Sequence, residues 1–252
     1  MPKVSLVIPV YNEAGHLKKF FEKIDGLKLP VEKELVIVDD FSKDGSRQII
    51  ESYPFQSTVK RVFQPKNMGK GAALKTGIRE ASGSIIGIQD ADFEYDMKDL
   101  PSLIQPLLDD DADVVYGSRF RKNATQVHRT FHYMVNRFLT MMSNFFSGLY
   151  LSDMETCYKF FRAEIIQNVI LESNRFGFEP EITAKISKLK VRVHELPIRY
   201  FPRNYMEGKK INWKDGVAAV FHILRFNLLR SPKDSFTAEI PEHYRVDGRQ
   251  WL

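Results

Sequence analysis

The sequence predicts an α/β fold, in which helices cover both faces of a mainly parallel β-sheet. From residue 4 to residue 116, short runs rich in Val and Ile alternate with segments whose apolar residues recur at helical spacing. The runs are continuously apolar, whereas a strand with one wet face alternates apolar and polar residues, so both faces of the sheet are expected to be buried. Polar, glycine-rich segments follow the runs, and parallel sheets bind ligands where the carboxyl ends of their strands open into loops.

Strands and helices alternate along the first half of the chain. The predicted strands are Val4–Pro9, Glu34–Asp39, Val59–Phe63, Ser84–Gln89 and Asp113–Tyr116. The helices between them are Glu13–Lys28, Asp44–Tyr53, Lys70–Ala81 and Asp96–Leu108. A helix between two strands allows those strands to lie parallel, which is why this order predicts a parallel sheet.

The second half of the chain is dominated by two amphipathic helices, Arg129–Ser147 and Trp213–Leu229. Between them lie the predicted strands Tyr158–Arg162 and Val191–Pro197 and the helix Glu179–Lys188. Residues 1–230 are predicted to form one domain. Residues 231–252 mix proline, charge and aromatic residues without a period, and they are predicted to be a C-terminal tail or arm.

Composition and charge exclude several classes of protein. Of the 252 residues, 43% are hydrophobic and 27% are charged, which is typical of a soluble globular protein and excludes a disordered chain or a polytopic membrane protein. No stretch reaches the roughly 20 apolar residues of a membrane span, and the N-terminus lacks a signal-peptide pattern, so any action on a membrane is expected to occur from its surface. The net charge of +5 is too small to indicate nucleic acid. Cys157, the single cysteine, permits no internal disulfide, suits a reducing compartment and is expected to be an inert core residue of a strand.

The segment Asp90-Ala91-Asp92 directly follows a predicted apolar strand. Residues two apart on an extended chain point to the same side, so these two carboxylates are expected to project together. Mg²⁺ is commonly held by one or two carboxylates plus phosphate oxygens, which makes the pair a candidate metal site. Glu94 continues the spacing and is a candidate third ligand. A solvated acidic turn before the next helix is the structural alternative.

Two further polar segments follow strands at the same predicted edge of the sheet. Asp39-Asp40 ends the second strand, where an acid commonly meets the ribose or base of a nucleotide, although a helix N-cap is the simpler role. The segment Asn67-Met68-Gly69-Lys70-Gly71 lies between a strand and a helix, where free backbone N–H groups and a lysine suit an anion. A plain turn explains this second segment almost as well.

Four motifs together resemble the family 2 glycosyltransferases, which have the Rossmann-like GT-A fold. They are Val4–Glu13, Val36–Gly45, Asn67–Gly71 and Asp90–Asp92. Within that family, Tyr116–Phe120 and Asp153–Lys159 are similar to the dolichyl-phosphate mannose synthases and other polyprenyl-phosphate glycosyltransferases. The resemblance covers residues 3–225. It implies an inverting transfer of a hexose from a nucleotide sugar, of the GDP-mannose or UDP-glucose type, to a dolichyl or undecaprenyl phosphate.

The same resemblance implies a role for each motif residue. The residues implied at the nucleoside are Pro9, Tyr11, Glu13 and Asp40. Those implied at the diphosphate and its Mg²⁺ or Mn²⁺ are Asp90, Asp92 and Glu94, with Lys70 beside them. Arg119, Arg129 and Arg203 match basic positions around the donor and acceptor phosphates, and Arg203 lies in a segment that resembles the family's mobile basic loop. Asp92, Arg119 and Arg203 are therefore the predicted catalytic residues.

The resemblance also implies a location and partners. We expect a cytoplasmic enzyme that associates peripherally with a membrane surface through the helix Trp213–Leu229 and its basic neighbours. Closure of the domain core is the favoured role of the apolar stripe of this helix, and its basic side can then still meet lipid headgroups. The aromatic face of Arg129–Ser147 either packs on the sheet or meets a prenyl chain. An integral membrane partner is left open, and no nucleic acid is expected.

Two alternative functions stay open at this point. The first is a family 2 glycosyltransferase with a soluble glycan, protein or metabolite as its acceptor. The second is a non-catalytic sugar-nucleotide sensor or nucleic-acid-binding domain that uses the basic segment Lys185–Arg230, which the presence of Asp90, Asp92 and Arg203 disfavours.

Overall fold

The structure is a computed structural model that describes residues 2–121, 130–202 and 213–246, with side chains for all of these except 130–132 and 213–215. Within these residues the strands are β1 (Lys3–Val10), β2 (Glu32–Asp39), β3 (Thr58–Phe63), β4 (Ile85–Ile88), β5 (Val114–Ser118), β6 (Lys159–Arg162) and β7 (Val193–Pro197). They form one sheet in the order β3-β2-β1-β4-β6-β5-β7.

The helices connect the strands much as the sequence predicts. They are α1 (Ala14–Gly26), α2 (Ser46–Ser52), α3 (Lys70–Glu80), α4 (Leu100–Leu108), α5 (Thr130–Ser147), α6 (Ala163–Ile166), α7 (Phe178–Ile186), α8 (Trp213–Leu228) and α9 (Pro232–Ser235). None of the helices in the described ranges is long and apolar enough to cross a membrane.

Every described strand except β6 points the same way. β1 pairs in parallel with β2 and β4, β2 with β3, and β5 with β7, whereas β6 runs antiparallel to both β4 and β5. In β1, residues 4–8 are all buried, so both faces of this strand are covered. The predicted α/β fold with a mainly parallel sheet is confirmed.

Helix α3 packs unusually close to the sheet. A Cβ added at Gly77 would collide with the side chain of Val7 in β1. Only glycine therefore fits at this position, and the close approach fixes α3 on the sheet. Since Lys70 begins α3, the same contact fixes where the lysine lies relative to the strand ends.

The chain after α8 lies against the rest of the protein as far as it is described. Phe236, Ile240 and Tyr244 are buried in the main hydrophobic core. Phe236 also forms an antiparallel bridge with Val169, and Arg245 forms one with Leu189. Residues 231–246 therefore pack on the rest of the protein through two aromatic side chains and one isoleucine.

Candidate active site

The loops that follow β1 and β2 are joined by hydrogen bonds. The backbone N–H of Asn12 donates to Ser42 Oγ at 3.0 Å, and that of Glu13 donates to Ser46 Oγ at 2.9 Å. In return, the backbone N–H of Lys43 donates to Asn12 Oδ1 at 2.9 Å. Pro9 lies within β1, and Tyr11, just beyond the end of β1, is 38% exposed. The residues predicted at the nucleoside thus lie along one continuous edge of the sheet.

Asp40 is buried and connects this edge to the loop before α3. Its carboxylate accepts hydrogen bonds from the backbone N–H groups of Met68 and Gly69, each at 2.8 Å, and from Asn67 Nδ2 at 2.9 Å. Burial raises the pKa of Asp40, and these hydrogen bonds oppose that change. The structure therefore shows a role that the motif alone did not reveal: Asp40 holds the loop that presents Lys70.

Lys70 lies between two carboxylates. Its Nζ is 3.0 Å from Asp90 Oδ2 and 3.3 Å from Glu179 Oε1 in α7. Burial alone would lower the pKa of Lys70, but the negative charges of Asp90 and Glu179 hold it well above the ordinary value. Lys70 is therefore a permanent cation that fixes Asp90, and Glu179 is a member of the site that the sequence did not single out.

The three predicted metal ligands are held in different ways. Asp90 binds Lys70, Asp92 Oδ1 accepts the backbone N–H of Glu94 at 3.1 Å, and Glu94 Oε2 accepts the hydroxyl of Tyr200 at 3.1 Å. Across the part of the chain that the structure describes, no three His, Cys, Asp or Glu side chains cluster closely enough to hold a metal ion. A magnesium or manganese ion needs only one or two carboxylates when phosphate supplies further oxygens, so the donor chemistry of Asp90 and Asp92 fits such an ion.

His16 joins the first loop to the Asp90–Asp92 segment, which sequence reasoning missed. Its Nε2 lies 3.0 Å from Glu13 Oε2 and 3.1 Å from the carbonyl oxygen of Ala91. The sequence does contain a spacing that indicates the His16–Glu13 pair, because the two residues are three apart at the start of α1 and so lie one helical turn from each other. His16 is therefore a positioning residue at the centre of the edge.

Arg119 follows β5 and is bound by Asp153. Its Nε and Nη2 each donate to an Asp153 carboxylate oxygen at 2.7 Å, and its backbone N–H donates at 2.9 Å. Burial opposes the charge, but Asp153 keeps the pKa of Arg119 well above its ordinary value. The guanidinium also lies 5.2 Å from the ring of Tyr200, whose hydroxyl reaches Glu94. The geometry thus brings the predicted Arg119 to the same edge as Glu94.

A buried group of charges lies behind this edge. Lys159, fully buried, donates to the carbonyl oxygens of Met154 and Thr156. Glu155 Oε1 is also buried, and it has no hydrogen-bond partner in the structure. Burial, together with the negative charge of Glu179, raises the pKa of Glu155 to about 7. The signal for this group was the high density of charged residues in Asp153–Lys159 beside an apolar strand.

Cys157 lies in the same segment, between Glu155 and Lys159. It is not part of a strand, because β6 begins only at Lys159. The expectation that it lies in a strand is wrong, although it is buried. Burial, and then the adjacent Asp90, raise the pKa of its thiol well above the ordinary value. The thiol therefore stays protonated at neutral pH.

Two of the predicted arginines cannot be placed beside these groups. Arg129, Arg203 and residues 204–210 of the predicted basic loop lie outside the described residues. Their roles stay predictions.

Known proteins resemble this chain over most of its length. A dolichyl-phosphate β-glucosyltransferase of Trichomonas vaginalis is 28% identical over 88% of this chain and 72% of its own length. A dolichol-phosphate mannosyltransferase of Pyrococcus furiosus is 28% identical over 82% of this chain and 59% of its own. A dodecaprenyl-phosphate galacturonate synthase of Rhizobium johnstonii is 26% identical over 88% of this chain and 64% of its own length. The chain thus spans less than two thirds of the length of the last two relatives.

Solved structures show the same fold at lower sequence identity. Glucosyl-3-phosphoglycerate synthase from Mycobacterium tuberculosis, crystallised with Mn²⁺ and UDP, superposes with a TM-score of 0.65 over 90% of this chain and 80% of its own, at 16% identity. Staphylococcus aureus TarS, crystallised with UDP-GlcNAc, superposes with a TM-score of 0.58 over 89% of this chain and 66% of its own, at 17% identity. The predicted GT-A fold is confirmed.

The family follows from the sequence match and agrees with the geometry. Residues 5–170, well over half of the chain, match the model of the family described as glycosyl transferase family 2. Apart from Val4, this range includes all of the four motifs, the carboxylates after β4 and the Arg119–Asp153 pair. The chain belongs to glycosyl transferase family 2, and it is a glycosyltransferase.

Proposed function

We propose that this glycosyltransferase moves a hexose, with inversion, from a nucleotide sugar of the GDP-mannose or UDP-glucose type to a polyprenyl phosphate. The observation that carries the acceptor is the similarity, over 82 to 88% of this chain, to three enzymes whose names include different sugars but a polyprenyl phosphate in every case. Because those sugars differ, the relatives support the acceptor more strongly than the donor.

The donor would bind along the edge formed by the β1, β2 and β4 loops. Pro9, Tyr11, Glu13 and Asp40 are the residues proposed at the nucleoside. Asp90 and Asp92 would hold a Mg²⁺ or Mn²⁺ ion, with Glu94 beside them, and Lys70 keeps Asp90 in place at 3.0 Å. A bound ion would stabilise the negative charge of the departing nucleoside diphosphate.

The chemistry needs little acid–base catalysis. A phosphate monoester has a second pKa near 6, so at neutral pH its oxygen is already an anionic nucleophile. The protein must instead hold two negatively charged phosphate groups close together, and preorganised cations do this. Arg119 is suited to the task because Asp153 fixes both its charge and its orientation. Arg129 and Arg203 are proposed to act beside it.

The acceptor also suggests where the enzyme acts. A polyprenyl phosphate stays in a bilayer, so we propose a cytoplasmic protein that associates peripherally with the membrane surface, with or without an integral membrane partner. Recognition of nucleic acid has no part in this function.

Purified protein, a divalent metal and radiolabelled nucleotide sugars provide the test. The acceptors are a short, water-soluble prenyl phosphate and a panel of free sugars, glycerol phosphates and peptides. We expect label on the prenyl phosphate, and none with Asp92→Asn. Transfer to a soluble acceptor alone would overturn the proposal and favour a family 2 enzyme of soluble metabolism.

A further inference from the structure

Helices α5 and α8 each present a row of large apolar side chains to solvent. In α5 the row is Met134, Phe138, Met141 and Phe145, whose exposed fractions run from 51% to 81%. In α8 the row is Val217, Phe221 and Leu228, each at least 58% exposed, and Leu229 follows at 71%. The residues in each row are three, four or seven apart, so each row lies along one side of its helix. We call the two rows together the apolar face.

The apolar face is distinct from the surface by which the two helices pack together. Leu139 of α5 and Ala219 and Ile223 of α8 are buried in a small core between the helices, together with Met154. The apolar rows therefore contribute nothing to that core. Soluble proteins seldom expose a continuous apolar surface of this kind unless it binds something.

The two apolar rows lie next to the contact between α5 and α8, one row on each helix. Gly216, near the start of α8, lies next to Val135, near the start of α5, so the helices begin side by side. Val135, Met142 and Val220 pack against the small core between the helices. On α5, each of these core residues comes one position after a residue of the apolar row. On α8, Val220 comes one position before one. For two helices that run side by side in the same sense, these opposite offsets place both apolar rows on the same side of the line along which the helices pack.

The apolar face leads to the active site. The ring of Tyr133, one residue before the α5 row, meets the ring of Phe120 edge-on at a centroid distance of 5.2 Å. Phe120 directly follows Arg119. Arg137 of α5 donates to the carbonyl oxygen of Ser152 at 3.2 Å, beside the Asp153 that binds Arg119. A long apolar chain lying on α5 would thus have its phosphate end near Arg119.

On α5, the charges around the apolar face suit an anionic lipid surface. Helix α5 contains no acidic residue, and its one charged residue, Arg137, is exposed. Helix α8 adds little to this attraction, because Asp215 follows Lys214 and because Glu172 pairs with both Arg225 and Arg230. A second copy of the chain on this face would cover the approach to Arg119 beside Phe120, whereas a bilayer would bring the acceptor to it.

We propose that the apolar face docks into the headgroup and acyl-chain boundary of a lipid bilayer, so that the prenyl chain of the acceptor lies along α5 with its phosphate toward Arg119. The inference rests on the proposed polyprenyl-phosphate acceptor. Helices with one exposed apolar side commonly lie in this boundary, where binding grows with the apolar area that is buried.

The test replaces exposed residues, which leaves the core between the helices intact. The triple variant Phe138→Ser, Phe145→Ser, Phe221→Ser removes the largest side chains of the apolar face. Ile170→Ser, at a residue 41% exposed and outside α5 and α8, is the control. In sedimentation with phosphatidylcholine vesicles, with and without phosphatidylglycerol, we expect wild type and control to bind and the triple variant to bind about tenfold or more weakly. Equal binding by all three proteins would overturn the proposal.

Two further measurements separate this proposal from the others. With a long-chain prenyl phosphate in vesicles the triple variant should lose most of its activity, whereas with a short, water-soluble prenyl phosphate it should lose a much smaller share. An equal loss with both acceptors would contradict docking. Light scattering that finds a wild-type dimer and a monomeric triple variant would assign the apolar face to a second copy. If wild type binds vesicles through the apolar face but glycosylates no prenyl phosphate, docking stands and the proposed function fails.

Discussion

Glu155 is a partly buried residue whose Oε1 is buried and has no hydrogen-bond partner in the structure. Burial raises its pKa from the ordinary 4.5 to about 7, and the negative charge of Glu179 acts in the same direction. Between these two pH values the folded protein binds a proton more tightly than the unfolded chain. This contribution to stability is fully present below pH 4.5 and is lost as the pH rises to 7.

Replacing Glu155 by its neutral isostere should therefore have a pH-dependent effect. Since Glu155→Gln cannot ionise, we expect its Tm to rise relative to wild type as the pH increases from 5 to 8. Thermal unfolding followed by circular dichroism at several pH values is the measurement. The same Tm difference at every pH would contradict the raised pKa.

Asp92 is the predicted catalytic metal ligand whose removal should separate activity from stability. We expect Asp92→Asn to abolish turnover because a neutral amide binds a divalent ion poorly, while the Tm changes little because like charges in this segment repel one another. Activity assays in saturating Mn²⁺, together with thermal unfolding, test this. Near-normal activity in those conditions would defeat the metal assignment.

Asp40 has both a structural role and a predicted binding role, so its replacement should have two effects. Asp40→Ala removes the acceptor of three hydrogen bonds from the loop before α3, which should lower stability by about 1–3 kcal/mol. It should also weaken nucleoside diphosphate binding while leaving the turnover of bound substrate largely intact. Calorimetric titration and kcat measurements test this, and a loss confined to kcat would contradict the binding role.

At the scale of elements, the strands were the easiest to predict. β1, β2 and β4 are buried on both faces, and their uninterrupted apolar runs give boundaries within a few residues of those observed. The antiparallel direction of β6 could not be predicted, because an apolar run reads the same in either direction. The amphipathic period of α5 predicts a helix, but it does not reveal that one side packs on α8 while another stays exposed.

The contacts within the site were harder to predict than its motifs. The segment Asp90–Asp92 is visible as a local pattern at the end of a strand. The partners of Lys70 are not, because Asp90 is 20 residues away and Glu179 is 109 residues away along the chain. Asp153 likewise reaches Arg119 across 34 residues. Local spacing carries no information on such pairs, which only the folding of the whole chain brings together.

The basic residues before and within the start of α8 carry a prediction of their own. We expect replacement of Lys209, Lys210 and Lys214 by Glu to weaken binding to anionic vesicles and to remove most of its salt sensitivity. Each basic residue near an anionic leaflet contributes about 1 kcal/mol, and salt screens that attraction. Sedimentation with anionic vesicles at low and high salt, with circular dichroism to check the fold, measures this effect. Absence of wild-type binding at low ionic strength would contradict recruitment by this segment.

On the scale of the whole molecule, one edge of the sheet gathers the chemistry. The loops after β1, β2, β3 and β4 are joined through Ser42, His16 and Asp40, and Tyr200 extends the connection to Arg119. Lys70 is paired with Asp90 and Glu179, and Arg119 is paired with Asp153, so these cations and carboxylates fix one another before any substrate arrives. Such preorganisation is what the stabilisation of two adjacent phosphate groups requires.

The most direct test of the central claim is the structure of the product. Wild-type protein is incubated with a short prenyl phosphate, a divalent metal and an α-linked nucleotide sugar, and the product is examined by mass spectrometry and proton NMR. We predict a prenyl phosphate that has gained one hexose through a β-linked anomeric carbon. A product with the α-linkage, or a prenyl phosphate without added sugar while a soluble acceptor is glycosylated, would contradict an inverting polyprenyl-phosphate hexosyltransferase.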